Sequence, residues 1–283
     1  MLFETFNMQG IFMARGGVLA LYANARTTGI VVDAGASGTT ITPVQDGYAL
    51  MSGARIHPTG GRALDKALIA ALADEGVRIR PRLPPATAGA AAWPASALAW
   101  HELEVARSIK ESICRVLETP LASARTIAES DGSAAVAVAP TATVASTPYV
   151  LPDGTHINVG AERFSVPEAV FSGGGSGASI SDSIVAAALA CDAHVRRDLV
   201  GNLVLAGGAS TLSGFAERLV RDVALVAPIG TRPRWATAAP EERKLSAWLG
   251  GSILASLGTF PDLWFTAEEY REHGAAFLHR RCP

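Results

Sequence analysis

The sequence predicts a globular chain of α/β or α+β class, on three observations. The β-branched run Gly29-Ile30-Val31-Val32-Asp33 ends in an acid followed by Gly35 and Gly38, the pattern of a buried strand entering a tight turn. A second apolar run, Asn202 to Ala206, passes into Gly207-Gly208 and then into a helical segment at 215–226. Between them, Val105, Ile109, Ile113 and Leu117 recur every four positions, the period of one helix face, and predict a helix over 98–117. Composition agrees: 49% of the 283 residues are apolar, enough to bury a sizeable core and too many for a disordered chain.

The remaining elements follow in order. Residues 16–25 read as a helix with Val18, Leu19 and Tyr22 on one side, closed by Gly29. Thr39 to Val44 makes a second strand, Asp46-Gly47 the next turn, and Tyr48 to Met51 a further extended piece. The two strands flanking Gly35 and Gly38 form a hairpin whose turn amides can face an anion. Leu64, Leu68 and Leu72 mark a helix over 62–75, and the Pro- and Ala-rich stretch 78–97 reads as a loop or insertion. Residues 123–146 are of low complexity. Leu151-Pro152-Asp153-Gly154 is a turn between strands, and 157–164 alternates apolar with polar residues. The run Gly173 to Gly177 reads as flexible; helices follow over 181–190 and 193–199. The chain closes with a helix over 245–257, a helix start at Thr266, and the basic tail His279-Arg280-Arg281.

Several function classes are disfavoured at this level. A net charge of −2 gives no electrostatic reason for a nucleic-acid or anionic-membrane partner. Cys114, Cys191 and Cys282 are far apart and odd in number, which suits reduced thiols rather than disulfides or a zinc site. No membrane span or leader is expected, and the default compartment is the cytoplasm. The six histidines lack metal-ligand spacing, and Gly174-Gly175-Ser176-Gly177 lacks the final glycine of a nucleophile elbow.

Asp33 with Gly35 and Gly38 has three readings. It is an ordinary hairpin turn; or the amides after it cradle phosphates while its carboxylate faces a hydrated Mg²⁺; or Val32-Asp33-Ala34-Gly35-Ala36-Ser37 is one half of an aspartic-protease-like site. The last requires a second apposed carboxylate, and no second such segment is present. Lys110-Glu111, taken alone, reads as a solvated helix face.

Several segments, taken in order, resemble actin. Phe3-Glu4-Thr5-Phe6-Asn7 opens the likeness, followed by Val18 to Tyr22, Arg26 to Gly29 and Asp46 to Leu50. Later come Ile109-Lys110-Glu111, Leu151 to Gly154, Glu162-Arg163-Phe164, Cys191-Asp192 and Arg196 to Leu199. Most specific is Glu242-Arg243-Lys244 with Ser246, Trp248 and Gly250 to Leu257, and His279 to Cys282 resembles the actin carboxyl terminus. The resemblance implies an α/β, actin-like fold (actin/Hsp70/hexokinase, ribonuclease H-like), mostly the second large domain plus the carboxyl-terminal part of the first. It implies that 1–23 and 246–283 are a remnant of the first domain. By the same token 24–59 and 176–245 are the core of the second, and 60–175 an outer subdomain with an insertion near 78–97.

The resemblance also implies ATP or ADP with Mg²⁺ in a cleft between two halves. Gly35, Ser37 and Gly38 would belong to a phosphate loop, and Asp33 would face the Mg²⁺ shell as the metal residue. Gly61 and Arg62 would lie near the ribose, with Arg107, Lys110 and Glu111 around adenine and ribose. Gly207 and Gly208 would face the nucleotide, and Lys244 would close over the base. The departures are specific. Gly16 replaces the glutamine that positions water, Thr40 the histidine beside it, and Ala36 the second loop aspartate. Actins also begin well upstream of Met1, so the other phosphate loop is expected to be missing. Weak nucleotide binding and slow or absent hydrolysis follow, since positioning and electrostatics supply most of the rate in phosphoryl transfer. The expected role is a cytoskeletal protein forming or joining filaments, its partners itself or actin and actin-related proteins. The alternative is a non-polymerising actin-related subunit that binds actin or a larger assembly. An active ATPase or protease is disfavoured.

Overall fold

A computed structural model describes residues 1–79, 93–120, 146–172, 178–228, 230–236 and 238–282. In chain order the elements are β1 (Gly10–Ile11), α1 (Gly16–Ala23), β2 (Gly29–Ala34), β3 (Thr39–Gln45), β4 (Tyr48–Ala49), β5 (Arg55–His57), α2 (Gly61–Asp74) and α3 (Ala95–Ile113). They continue with β6 (Thr147–Val150), β7 (His156–Val159), α4 (Glu162–Phe171), α5 (Ile180–Leu189), α6 (Ala193–Val200), β8 (Leu203–Ala206), α7 (Phe215–Val226), β9 (Trp235–Ala236), α8 (Pro240–Ala255), β10 (Phe265–Thr266), α9 (Ala267–His273) and α10 (Leu278–Arg281).

The main sheet has the order β4-β3-β2-β8-β9, with β5 also paired to β3. β2 and β3 are the antiparallel hairpin the glycines predicted, while β8 runs parallel to both β2 and β9. Alternation along β2 divides its residues between two cores. Ile30, Val32 and Ala34 join Leu64, Leu68, Ile109, Ile184 and Phe215 in the larger one. Val31 joins Val18, Ala20, Leu21, Val44 and Val204 beneath α1 in the smaller. The sheet is therefore covered on both faces, which explains why its strands read as unbroken apolar runs.

Helix α1 lies on α8 at an unusually close crossing. A Cβ on Gly250 would overlap the Leu19 carbonyl, so glycine is what lets the two backbones meet. β1 and β10 form a short separate ribbon. The outward side of α8 is apolar and exposed, through Leu245, Trp248 and Ile253, with Leu257 just beyond it.

Three expectations shift. The helix expected over 98–117 starts at Ala95 and ends at Ile113. Beyond it the chain is drawn straight, because Arg115 and Val116 donate their amides to Arg163 and Ser213. The apolar period carried Leu117 into the prediction, but long-range hydrogen bonds end the helix first. Alternation over 157–164 holds only to Val159, after which α4 begins with Glu162 in its first turn. The last long helix starts at Pro240 rather than 245, with proline at its first turn and Glu242 accepting from the Ala239 amide. The flexible reading of 173–177 and most of the 78–97 and 123–146 segments fall outside the described residues.

Candidate functional site

β2 and β8 are parallel neighbours, and their C-terminal ends deliver Asp33 and Gly207 side by side; Asp33 pairs in register with Ala206. Gly207 has a φ of +89°, and a Cβ there would collide with the Ala34 carbonyl and the Asp33 carboxylate. Only glycine allows this approach. The amide of Gly207 donates to the Arg243 carbonyl at 2.9 Å, and the Arg243 guanidinium donates to the Ser210 carbonyl at 3.0 Å. Thus the start of α8 clamps the turn that follows β8.

The 35–38 turn is held from the other side by α2. The first amides of that helix, Gly61 and Arg62, donate to the carbonyls of Gly35 and Ala36 at 2.9 and 2.8 Å. In a trans peptide the carbonyl of one residue and the amide of the next point in opposite directions. The Ala36 and Ser37 amides consequently point away from α2, and no described residue accepts from them. Two adjacent outward amides have the geometry to meet an anion.

Behind this turn stands a buried ion pair. Lys110 of α3 reaches across to α2, donating to the Gly61 carbonyl at 2.9 Å and to Asp65 at 2.6 Å. Burial raises the Asp65 pKa despite the lowering effect of the ammonium, so desolvation outweighs attraction in this pair. Its role is to fix the start of α2, and with it the turn. Lys110 is thus not on a solvated face. Its neighbour Glu111 is exposed and accepts from Arg107 at 2.9 Å.

A cavity of about 630 Å³ opens between these parts. Gly35 and Ala36 meet Gly61 and Arg62 at one end, Trp100, Leu103, Arg107, Lys110 and Glu111 wall the α3 side, and Gly208, Leu212 and Lys244 close the opposite side. Eight residues expected at a nucleotide site therefore border one space: Gly35, Gly61, Arg62, Arg107, Lys110, Glu111, Gly208 and Lys244. Ser37 and Gly38 lie in the adjoining turn, and Asp33 and Gly207 at the strand ends, outside the cavity wall. Asp65, Trp100 and Arg243 were missed as parts of this site. An acid placed between Leu64 and Leu68 on an apolar helix stripe was a readable sign for Asp65; the other two required the tertiary fold.

Asp33 is half-buried, its pKa is raised by desolvation, and its carboxylate makes no hydrogen bond or ion pair among the described residues. Thr40, its register partner on β3, shares its face of the sheet. A Cβ on Gly17 would lie 3.0 Å from Thr42, which puts the start of α1 over that face two residues from Thr40. Gly16 itself brings no side chain there. Among the described residues no cluster of three His, Cys, Asp or Glu could hold a metal, so Asp33 would meet a cation only together with ligand oxygens and water.

The residues present suit a magnesium nucleotide: the cavity is of ligand size, one wall is aromatic and apolar, and cations flank it, while the Ala36 and Ser37 amides and the unpaired Asp33 belong to the turn and strand end that adjoin it. No described helix is long and apolar enough to cross a membrane. The family Actin matches residues 1–283. The chain is 33% identical to Actin-related protein 4 of Arabidopsis thaliana, over all of this chain and 67% of that protein. It is equally similar to Actin-related protein 4 of Oryza sativa, subspecies indica and japonica, with the same coverage. On the fold and on these matches, the chain belongs to the actin family.

Proposed function

We propose that this chain is an actin-related protein that forms or joins a filament, binds ATP or ADP with Mg²⁺ weakly, and hydrolyses it little. The observation that carries the reading is the cavity between α2–α3 and the 208–212 turn, with the outward Ala36 and Ser37 amides at one end. In this reading those amides and Ser37 hold phosphate oxygens, Asp33 orients the water shell of Mg²⁺, and Trp100 with Lys244 encloses the base. Bound Mg²⁺ would neutralise phosphate charge. Around Asp33, however, Gly16 brings no side chain and Thr40 only a neutral hydroxyl, which can hydrogen-bond a water but is too weak a base to deprotonate it, so turnover is expected to be slow. The segment division given by the resemblance, with 1–23 and 246–283 apart from 24–59 and 176–245, goes with this reading. The cytoplasmic cytoskeleton is the compartment it proposes.

A second reading, a non-polymerising subunit, is favoured by the apolar outer side of α8. That surface suits a permanent partner as well as a filament neighbour. Negative-stain imaging and pelleting of the purified chain, with and without Mg-ATP, separates the two. Ordered filaments support the first reading. Monomers that co-pellet with actin support the second. A chain that neither assembles nor co-pellets removes the first reading and excludes actin as the partner in the second.

A further inference from the structure

We propose a second anion site, distinct from the nucleotide cavity, formed by Arg197, Arg232 and Arg234 and suited to a small ligand carrying two or more phosphates. β8 separates the two places. The nucleotide cavity lies past its C-terminal end at Gly208, while these arginines surround its N-terminal end at Asn202. They border a concave space of about 520 Å³, lined among the described residues by arginine, aspartate, asparagine and glycine. All three are exposed, and none forms an ion pair or a side-chain hydrogen bond with a described residue. Asp198, the acid in the lining, pairs with none of them, so the space carries a net excess of two positive charges.

The base of this space is already organised. Asn202 accepts from the Arg26 guanidinium and donates to the Asp198 carbonyl at 3.1 Å, which fixes both ends of its amide. The backbone of Arg234 is pinned to β8, its carbonyl accepting from the Leu203 amide at 2.8 Å. Arg197 has an ordinary explanation as a cation in the last turn of α6. Arg234 lies at the same helix end, its amide donating to the Val200 carbonyl at 3.4 Å, whereas Arg232 has no such explanation and no ion-pair partner among the described residues. Three guanidiniums offer planar forks that match phosphate oxygens two at a time. The polar character of the described lining suits a phosphate ligand better than a peptide, which would need a pocket for its side chains.

The test is arginine modification by phenylglyoxal on the whole chain, read residue by residue by mass spectrometry, with tripolyphosphate as the probe. The expected result is slowed modification of Arg197, Arg232 and Arg234, with Arg15 and Arg55 unaffected as exposed controls. Calorimetry with the double variant Arg232→Ala/Arg234→Ala should show one tripolyphosphate site fewer than the unmodified chain, whereas Lys244→Ala should keep that site. Unchanged thermal unfolding of the double variant would exclude misfolding as the cause. Equal protection of all arginines, no protection at these three, or equal protection by poly-glutamate at matched charge would each overturn the proposal. None of these outcomes depends on whether ATP binds in the other cavity.

Discussion

The most informative single residues are those whose charge is not compensated in the usual way. Lys110 and Asp65 form a pair with side chains only 6% and 9% exposed, so removing one partner strands the other in a poorly solvated place. Lys110→Met is expected to destabilise the chain by about 3–5 kcal/mol in urea unfolding, and the double change with Asp65→Leu to recover most of it. A loss near zero for the single variant would show that the pair does not anchor α2. Asp33 behaves in the opposite sense. Burial raises its folded pKa above the ordinary 3.8, so the folded chain binds that proton more tightly than the unfolded one. Its contribution to stability is therefore complete below about pH 4 and is lost as pH rises through the folded value. Asp33→Asn should flatten that part of the pH–stability profile, raise stability near neutrality in the absence of nucleotide, and weaken any dependence of nucleotide binding on Mg²⁺. A profile unchanged by the substitution would contradict the assignment.

At the scale of elements, two glycines decide how helices and strands approach. Gly250→Val should drive α1 from α8 and cost about 3 kcal/mol, by the ordinary penalty for overpacking. Gly251→Ala meets only the Leu19 methyl at 3.6 Å and should instead stabilise the helix by about 0.5–1 kcal/mol. Thermal unfolding of the two variants distinguishes a close crossing from a general intolerance of this helix. Local pattern was enough to locate most elements: the β2–β3 hairpin follows from its glycines and β-branched residues, and α7 was read to its observed ends, Phe215 and Val226. It failed where distant hydrogen bonds override period, as at Arg115 and Val116, and where a helix contains a proline, as α4 does at Pro167. The site divides similarly. Asp33 and the glycines were legible because turns need them, and Lys110 and Lys244 only through family likeness. Arg243 was not legible as a clamp, because its partners Gly207 and Ser210 are more than thirty residues earlier in the chain.

For the molecule as a whole, the feature that stands out is an uncovered apolar surface on α8, away from the cavity wall. Leu245, Trp248, Ile253 and Leu257 are each about half exposed or more, at 52, 71, 48 and 50%. Trp248→Glu should reduce self-association or partner capture in sedimentation velocity while leaving nucleotide binding unchanged, since Trp248 does not border the cavity. Association unaffected by that change would move the interface elsewhere. The chain spans 67% of the length of its plant relatives, and every element of the cavity described above lies within that share. The proposed cleft binds nucleotide without efficient turnover. Its most direct test is to titrate the purified chain with a fluorescent ATP analogue in Mg²⁺ and to follow phosphate release in the same samples. Saturable binding, weakened by Lys244→Ala and accompanied by phosphate release far slower than that of actin, is the predicted result. Release at the rate of actin, or no saturable binding at millimolar nucleotide, would contradict it.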